Sequence, residues 1–202
     1  MKINPRFFDS VLRPIVFLLL LLPVGILIFE FYFGSLGANP IEYILRDVGI
    51  WSLRILILGL ILSPLSRLTK WIQVLQLRRM VGLFAFFYAL LHLLGYLIFE
   101  QALEISSIIN DLWERPFIAV GFAAFLTLLP LAITSTRTKM RQMGKHWKPL
   151  HRFVYLAVIL CVVHFWWSVK ADVGEPVVYA LVTSVILLER AWRWLNNKKT
   201  KP

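Results

Sequence analysis

Residues 80–99 read MVGLFAFFYALLHLLGYLIF, an apolar run with no charged side chain and a single imidazole, His92. A bilayer core of about 30 Å takes roughly 20 apolar residues to cross as a helix, and only helices and closed barrels satisfy every backbone N–H and C=O in lipid. The run shows no period-two alternation, so it is predicted to be a membrane-spanning helix rather than a barrel strand. An imidazole in such a helix is costly unless something pairs with it, which makes His92 a candidate functional residue at once.

Reading outward from charge to charge gives five more candidate spans, at 14–33, 50–66, 117–135, 153–170 and 177–195. The second is the shortest: Arg54 interrupts its start and Pro64 marks its end. The chain has 202 residues, 59% of them hydrophobic and only 16% charged, which leaves little mass for a soluble domain. It contains no repeat of solenoid length and no low-complexity tract. The expectation is one all-α domain over residues 1–202, a bundle of six transmembrane helices. Lys2, Arg6 and Arg13 precede the first span as in a secretory signal. Its apolar run exceeds a signal core and no small-residue cleavage site follows, so it is read as a retained helix.

Charge settles the expected orientation. Alternate loops and tails gather Lys2, Arg6, Arg13, Arg67, Lys70, Arg78, Arg79, the basic segment from Arg137 to Arg152, Arg190, Arg193, Lys198, Lys199 and Lys201 on one side. The other side has only Arg46, Arg115 and Lys170, beside Glu42, Asp47, Glu100, Glu104, Asp111, Glu114, Asp172 and Glu175. The positive-inside rule then places both termini in the cytoplasm. Topology and lipid head groups account for the net charge of +11, so nucleic acid is not an expected partner. The single cysteine, Cys161, falls within the fifth span and reads as a small buried hydrophobe, which excludes an intrachain disulfide framework.

His164 lies in the fifth span, FVYLAVILCVVHFWWSVK at 153–170, and His151 stands just before it. The third and fifth spans run in the same direction. His92 is thirteen residues beyond Arg79 and His164 twelve beyond Arg152, so both imidazoles are about 18–20 Å from the inner boundary. Two level imidazoles on neighbouring helices suit the axial positions of a haem b. A zinc site would need three or four ligands, and none joins them at that depth. The plainer alternative is two unconnected histidines, each bonded to a helix carbonyl.

His151 falls about 20 Å below His164, near the inner surface. At the matching depth of the third span stand Arg78 and Arg79, with Gly82 near them as Gly95 is near His92. Arginine is a poor iron ligand and a good phosphate or carboxylate ligand, so this inner site suits FMN or a haem whose propionates meet the arginines. Arg54 could pair with a propionate at the outer site, with snorkelling to the surface as the competing account. Gly144 to Lys148 adds cations and Trp147, suited to lipid head groups or a cofactor; His146 reads as solvated. The acidic outer loop with Glu104, Asp111 and Glu114 is a candidate docking surface, against ordinary topology-directed charge. A rival reading of the intramembrane histidines is an ion or proton pathway.

A series of short motifs, in this order and spacing, carries a family resemblance. They are Leu36-Gly37-Ala38-Asn39-Pro40, Ser63-Pro64-Leu65-Ser66-Arg67, Arg78-Arg79 with Gly82-Leu83, Leu91-His92-Leu93 with Tyr96, and Arg115-Pro116. Thr134-Ser135-Thr136, Gly144-Lys145 with Trp147, Leu150-His151 with Phe153-Val154-Tyr155, and His164 with Trp167-Ser168-Val169-Lys170 complete the set. The chain resembles the ferric-reductase-like transmembrane family, which includes the NADPH oxidases, and within it the haem-binding membrane subunits of bacterial protein-methionine-sulfoxide reductase systems. The resemblance implies an electron conduit in the bacterial inner membrane carrying haem b and FMN. Its donor would be the quinone pool or a cytosolic flavin reductase. Its acceptor would be a periplasmic molybdenum-containing catalytic subunit, where methionine sulfoxide is reduced. By the same resemblance His92 and His164 match the haem ligands, and His151, also a candidate iron ligand, matches a third family histidine. Arg78 or Arg79 stands where the NADPH oxidases have a fourth, and their cytosolic flavin and nicotinamide domains are missing. A cytochrome b ferric or quinone-linked reductase with another acceptor is the nearest alternative.

Overall fold

The computed structural model describes residues 7–34, 36–169 and 173–199. Lys2, Arg6, Lys170, Asp172 and Lys201, which entered the charge reading, lie outside them. Every regular element among the described residues is helical. A wide turn at Phe8–Leu12 leads into α1 (Arg13–Phe33), followed by α2 (Pro40–Thr69) and a 3-10 segment at Ile72–Leu77. Next come α3 (Arg78–Gly95), running into a wide turn at Tyr96–Glu100, α4 (Ile105–Glu114) and α5 (Pro116–Ile133). The short α6 (Arg137–Met143) and α7 (Trp147–His151) precede α8 (Val154–Ser168) and α9 (Gly174–Lys199).

Among the described residues, four stretches are long and apolar enough to cross a membrane: Phe8–Phe33, Pro40–Thr69, Ile72–Glu100 and Pro116–Ile133. A fifth results if Arg137–His151 and Val154–Ser168, bent by 42°, form one span. α9 is 26 residues long but carries Glu189, Arg190 and Arg193 in its second half. Outward-facing apolar side chains mark the lipid surface, Leu18, Leu19 and Phe29 of α1 among them.

The ends of these helices follow from local chemistry. Asn39 caps α2, its side-chain oxygen accepting from the Glu42 amide at 3.4 Å, and Pro40 supplies the preset φ of a first helical residue. Pro116 opens α5 in the same way. α1 stops where Gly34 adopts a left-handed φ of 69°.

Two antiparallel hairpins form the centre of the bundle, α2 against α3 and α5 against α8, and these pairs share the most extensive contacts. Ser52 donates to the Ala85 carbonyl at 3.0 Å, and the small side chains let α2 and α3 approach closely. Tyr88, 1% exposed, holds α1 to α3: its hydroxyl donates to the Leu20 carbonyl at 2.8 Å and accepts from the Val24 amide at 3.2 Å, across the turn that Pro23 loosens. α9 closes the other flank. Arg190 donates to the Leu60 carbonyl at 2.7 Å and to the Tyr155 hydroxyl, and Arg67 pairs with Glu189 at 2.6 Å.

Beyond the end of α3, Asp111 of α4 is buried, not displayed for docking. It accepts from the Tyr96 hydroxyl at 3.0 Å and from Gln101 Nε2 at 2.6 Å, with Arg115 at 3.4 Å. A carboxylate in that position is retained because its lone pairs are filled. It ties the end of α3 to the start of α5, and those two helices carry the two halves of the site.

Candidate functional site

His92 projects from α3 and His164 from α8, and the structure brings their rings to 6.0 Å centroid separation, nearly perpendicular at 76°. His92 Nδ1 lies 2.9 Å from the Leu45 carbonyl of α2, and His164 Nδ1 lies 2.6 Å from the Phe117 carbonyl of α5. A carbonyl can only accept, so in each ring Nδ1–H donates. A neutral imidazole then keeps its lone pair on Nε2, the nitrogen left to bind a metal.

This arrangement combines both alternatives open in the sequence. Each histidine is bonded to a helix carbonyl, and the two are also brought together. A haem iron between them fits the spacing: metal–imidazole bonds of about 2 Å and roughly 1 Å from nitrogen to ring centre put the centroids about 6 Å apart. Among the described residues no three His, Cys, Asp or Glu side chains converge as a metal cluster, so the donor set suits an iron whose remaining ligands come from a macrocycle.

The rings fit because two glycines face them. A Cβ on Gly49 would sit 3.0 Å from His92 Nδ1, and one on Gly121 would sit 2.7 Å from His164 Nδ1. Neither glycine was legible as a site residue from the apolar pattern. The one signal in the sequence is a shared offset: Gly121 follows Gly49 by as many residues as His164 follows His92. Gly95, by contrast, faces Leu45, whose Cδ2 would lie 2.7 Å from an added Cβ, so it serves the approach of α2 to α3.

His151 belongs to a different place. It lines a cavity of about 420 Å3 at the basic end of the bundle with Arg78, Arg79, Gly82, Arg137, Lys148, Arg152 and Tyr155. Five of these side chains are basic and no lining residue is acidic, so the cavity attracts anions. His151 Nε2 is 3.1 Å from Thr134 Oγ1, whose own proton goes to the Pro130 carbonyl at 2.6 Å. His151 Nε2–H is therefore the donor in this bond, opposite to the tautomer at the outer pair. Trp147 stacks on the His151 ring at 3.9 Å and donates from Nε1 to the Thr134 carbonyl at 3.0 Å. The volume, the cations and the aromatic wall suit a planar cofactor bearing phosphate or carboxylate groups.

Arg54 is engaged elsewhere. Its Nε donates to the Tyr179 hydroxyl of α9 at 2.7 Å and its guanidinium lies 4.9 Å over Trp51. These contacts satisfy the charge within the bundle, on the α9 side of α2. His146 is exposed in the segment Gly144–His146, outside the cavity lining.

Residues 48–162 match the family model described as ferric reductase like transmembrane component. The chain is 42% identical over 194 residues to a protein of Herminiimonas arsenicoxydans, covering 94% of this chain and 89% of that one. It is 47% identical over 186 residues to a protein of Azospira oryzae, with 91% and 78% covered. A protein of Bordetella pertussis is 42% identical over 192 residues, with 93% and 92% covered. Each of the three is named protein-methionine-sulfoxide reductase heme-binding subunit MsrQ.

Proposed function

The chain belongs to the ferric-reductase-like transmembrane family and, within it, to the MsrQ group, and from that membership we propose that it is a haem-binding electron-transfer subunit of a protein-methionine-sulfoxide reductase. The observation that carries this reading is the facing pair His92 and His164, each with Nδ1 held by a carbonyl and Nε2 left for iron. We read the acceptor as a periplasmic molybdenum-containing subunit, where sulfoxide reduction takes place. The donor is read as the quinone pool or a cytosolic flavin reductase.

His92 and His164 would hold a haem b, which when bound supplies one-electron iron chemistry. The chain's own part is to fix both imidazoles, keep their donor nitrogens in one tautomer and exclude bulk water from the pair. At the inner cavity, Arg78, Arg79, Arg137, Lys148 and Arg152 would hold the anionic groups of FMN, with Trp147 as a wall for its ring. His151 lines that cavity, donating to Thr134.

The reading has six crossings with both termini in the cytoplasm of a bacterium and the bundle in its inner membrane. The supporting features are the basic residues gathered at one end, Arg67, Arg78, Arg79 and Arg137 to Arg152, and most of the acidic ones at the other, Glu42, Asp47, Glu100, Glu104, Asp111, Glu114 and Glu175. α9 crosses by engaging its charges, Arg190 with Tyr155 and Glu189 with Arg67 and Arg193, rather than presenting them to lipid. A fluorescent protein fused after Pro202 is expected to mature and glow. A periplasmic phosphatase reporter that is active at the same position would reverse the topology.

Function is tested by mixing the dithionite-reduced, desalted protein with the purified periplasmic subunit and a methionine sulfoxide substrate. Reoxidation of the b-type bands, with methionine formed in proportion, is the expected result. Reoxidation by ferric chelates or quinone but not by that pair would transfer the chain to a reductase with another acceptor.

A further inference from the structure

The two histidine seats are copies of one device. In each, a helix of one hairpin offers a carbonyl and, one turn further on, a glycine, and the histidine comes 47 residues after the carbonyl. One constant offset along the chain carries Leu45 to Phe117, Gly49 to Gly121 and His92 to His164. It also relates the α2–α3 hairpin to the α5–α8 hairpin, the two most closely packed pairs in the bundle. At the inner layer the same offset carries Arg79 to His151, and there the copies diverge.

We propose that Gly49 and Gly121 are positioning residues that set the donor strength of both axial ligands. The inference rests on His92 and His164 holding a haem iron. An added Cβ at either glycine meets Nδ1 first and Cε1 next: 3.0 and 3.1 Å at Gly49, 2.7 and 2.8 Å at Gly121. The atom it presses on is therefore the one that donates to the carbonyl. The ring cannot give way as the tip of a long chain would, because it is tied to iron on one side and to its own helix on the other. A methyl group here tilts the imidazole away from its carbonyl and weakens the Nδ1–H···O bond. That bond raises the basicity of Nε2, so its loss makes the imidazole a poorer donor and favours the ferrous state.

Gly49→Ala and Gly121→Ala are each expected to raise the haem midpoint potential and to shift the low-spin ferric electron paramagnetic resonance g-values, Gly121→Ala more than Gly49→Ala. Gly25→Ala, where an added Cβ meets nothing within 4 Å, is expected to change neither. Wild-type potential and g-values in both site variants would overturn the proposal. A second measurement needs no variant and decides the matter if Gly121→Ala fails to assemble. In the wild type, proton electron–nuclear double resonance is expected to show two Nδ1 protons that persist after transfer to D2O, because each is held in a hydrogen bond to a carbonyl of the neighbouring helix. Immediate loss of both signals would overturn the seat. Haem surviving in both His92→Ala and His164→Ala would instead overturn the ligand assignment beneath it, leaving a distinct signature.

Discussion

His92→Ala and His164→Ala are each expected to leave the purified protein without the b-type haem proposed between the two rings. The expectation follows from the facing rings: with one imidazole gone, the iron keeps a single protein ligand, and the opposite side opens onto a space of about one side chain. Changes to groups that merely orient metal ligands already cost about 10–100-fold in affinity, so removing a ligand itself costs more. The fold should persist, because other contacts between helices, Ser52 with Ala85 and Tyr88 with Leu20 among them, lie elsewhere on α2, α3 and α1. Haem content by pyridine haemochrome, beside the elution volume of the detergent-solubilised variant, separates loss of haem from loss of fold. Unchanged haem in both variants would remove these residues from the site.

The second large effect concerns the inner cavity. Replacing Arg78 and Arg79 together by glutamine is expected to abolish retention of FMN while leaving the His92–His164 haem in place. A hydrogen bond to a charged group contributes about 1.5–3 kcal/mol, and 1.4 kcal/mol is tenfold in affinity. Each arginine is thus worth about 10–100-fold, with the pair coupled through a shared ligand and not strictly additive. Glutamine is polar but uncharged and shorter, so the change removes the charge together with the guanidinium's fork of donors. Flavin released from the purified variant and the Kd from flavin fluorescence give the result. Wild-type flavin retention would remove FMN from this cavity. Loss of a second b-type haem instead would make these arginines partners of haem propionates.

Most of the fold was legible because hydrophobic run length is nearly sufficient to define a helix in lipid. The readings at 14–33 and 117–135 fall close to Arg13–Phe33 and Pro116–Ile133. The second span was read ten residues short, at 50–66 against Pro40–Thr69, because Glu42, Arg46 and Asp47 interrupt the apolar pattern. A charge ends a hydropathy run without ending a helix, and Arg46 reaches Glu175 at 3.5 Å within the folded chain. That lost segment holds Leu45 and Gly49, half of the outer site. α4 was missed for a related reason: its apolar face is one-sided and ten residues long, too short for a spanning search.

The site shows the same division. Depth alone placed His92 level with His164, and the arginines with His151, because rise per residue converts sequence distance into height. Partners across helices were not legible. Nothing in the local sequence says that Gly49 rather than Gly95 faces an imidazole, since that depends on the rotation of α2 and α3 about their axes. Arg54 illustrates the converse: a cation at a suitable depth turned to Tyr179 and Trp51, where it found an acceptor and an aromatic face. The constant offset between the two hairpins was visible in the numbering, but only the structure gave it meaning.

The central claim, a haem iron held between His92 and His164, is tested most directly by the absorption spectrum of the detergent-purified protein, oxidised and then dithionite-reduced, with haem quantified on the same sample. The account predicts reduced b-type bands at a minimum of one haem per chain, low-spin in both oxidation states as two imidazole ligands require. A folded protein, made with ample haem supply, that remains colourless would contradict it and return the intramembrane histidines to the reading of an ion or proton pathway.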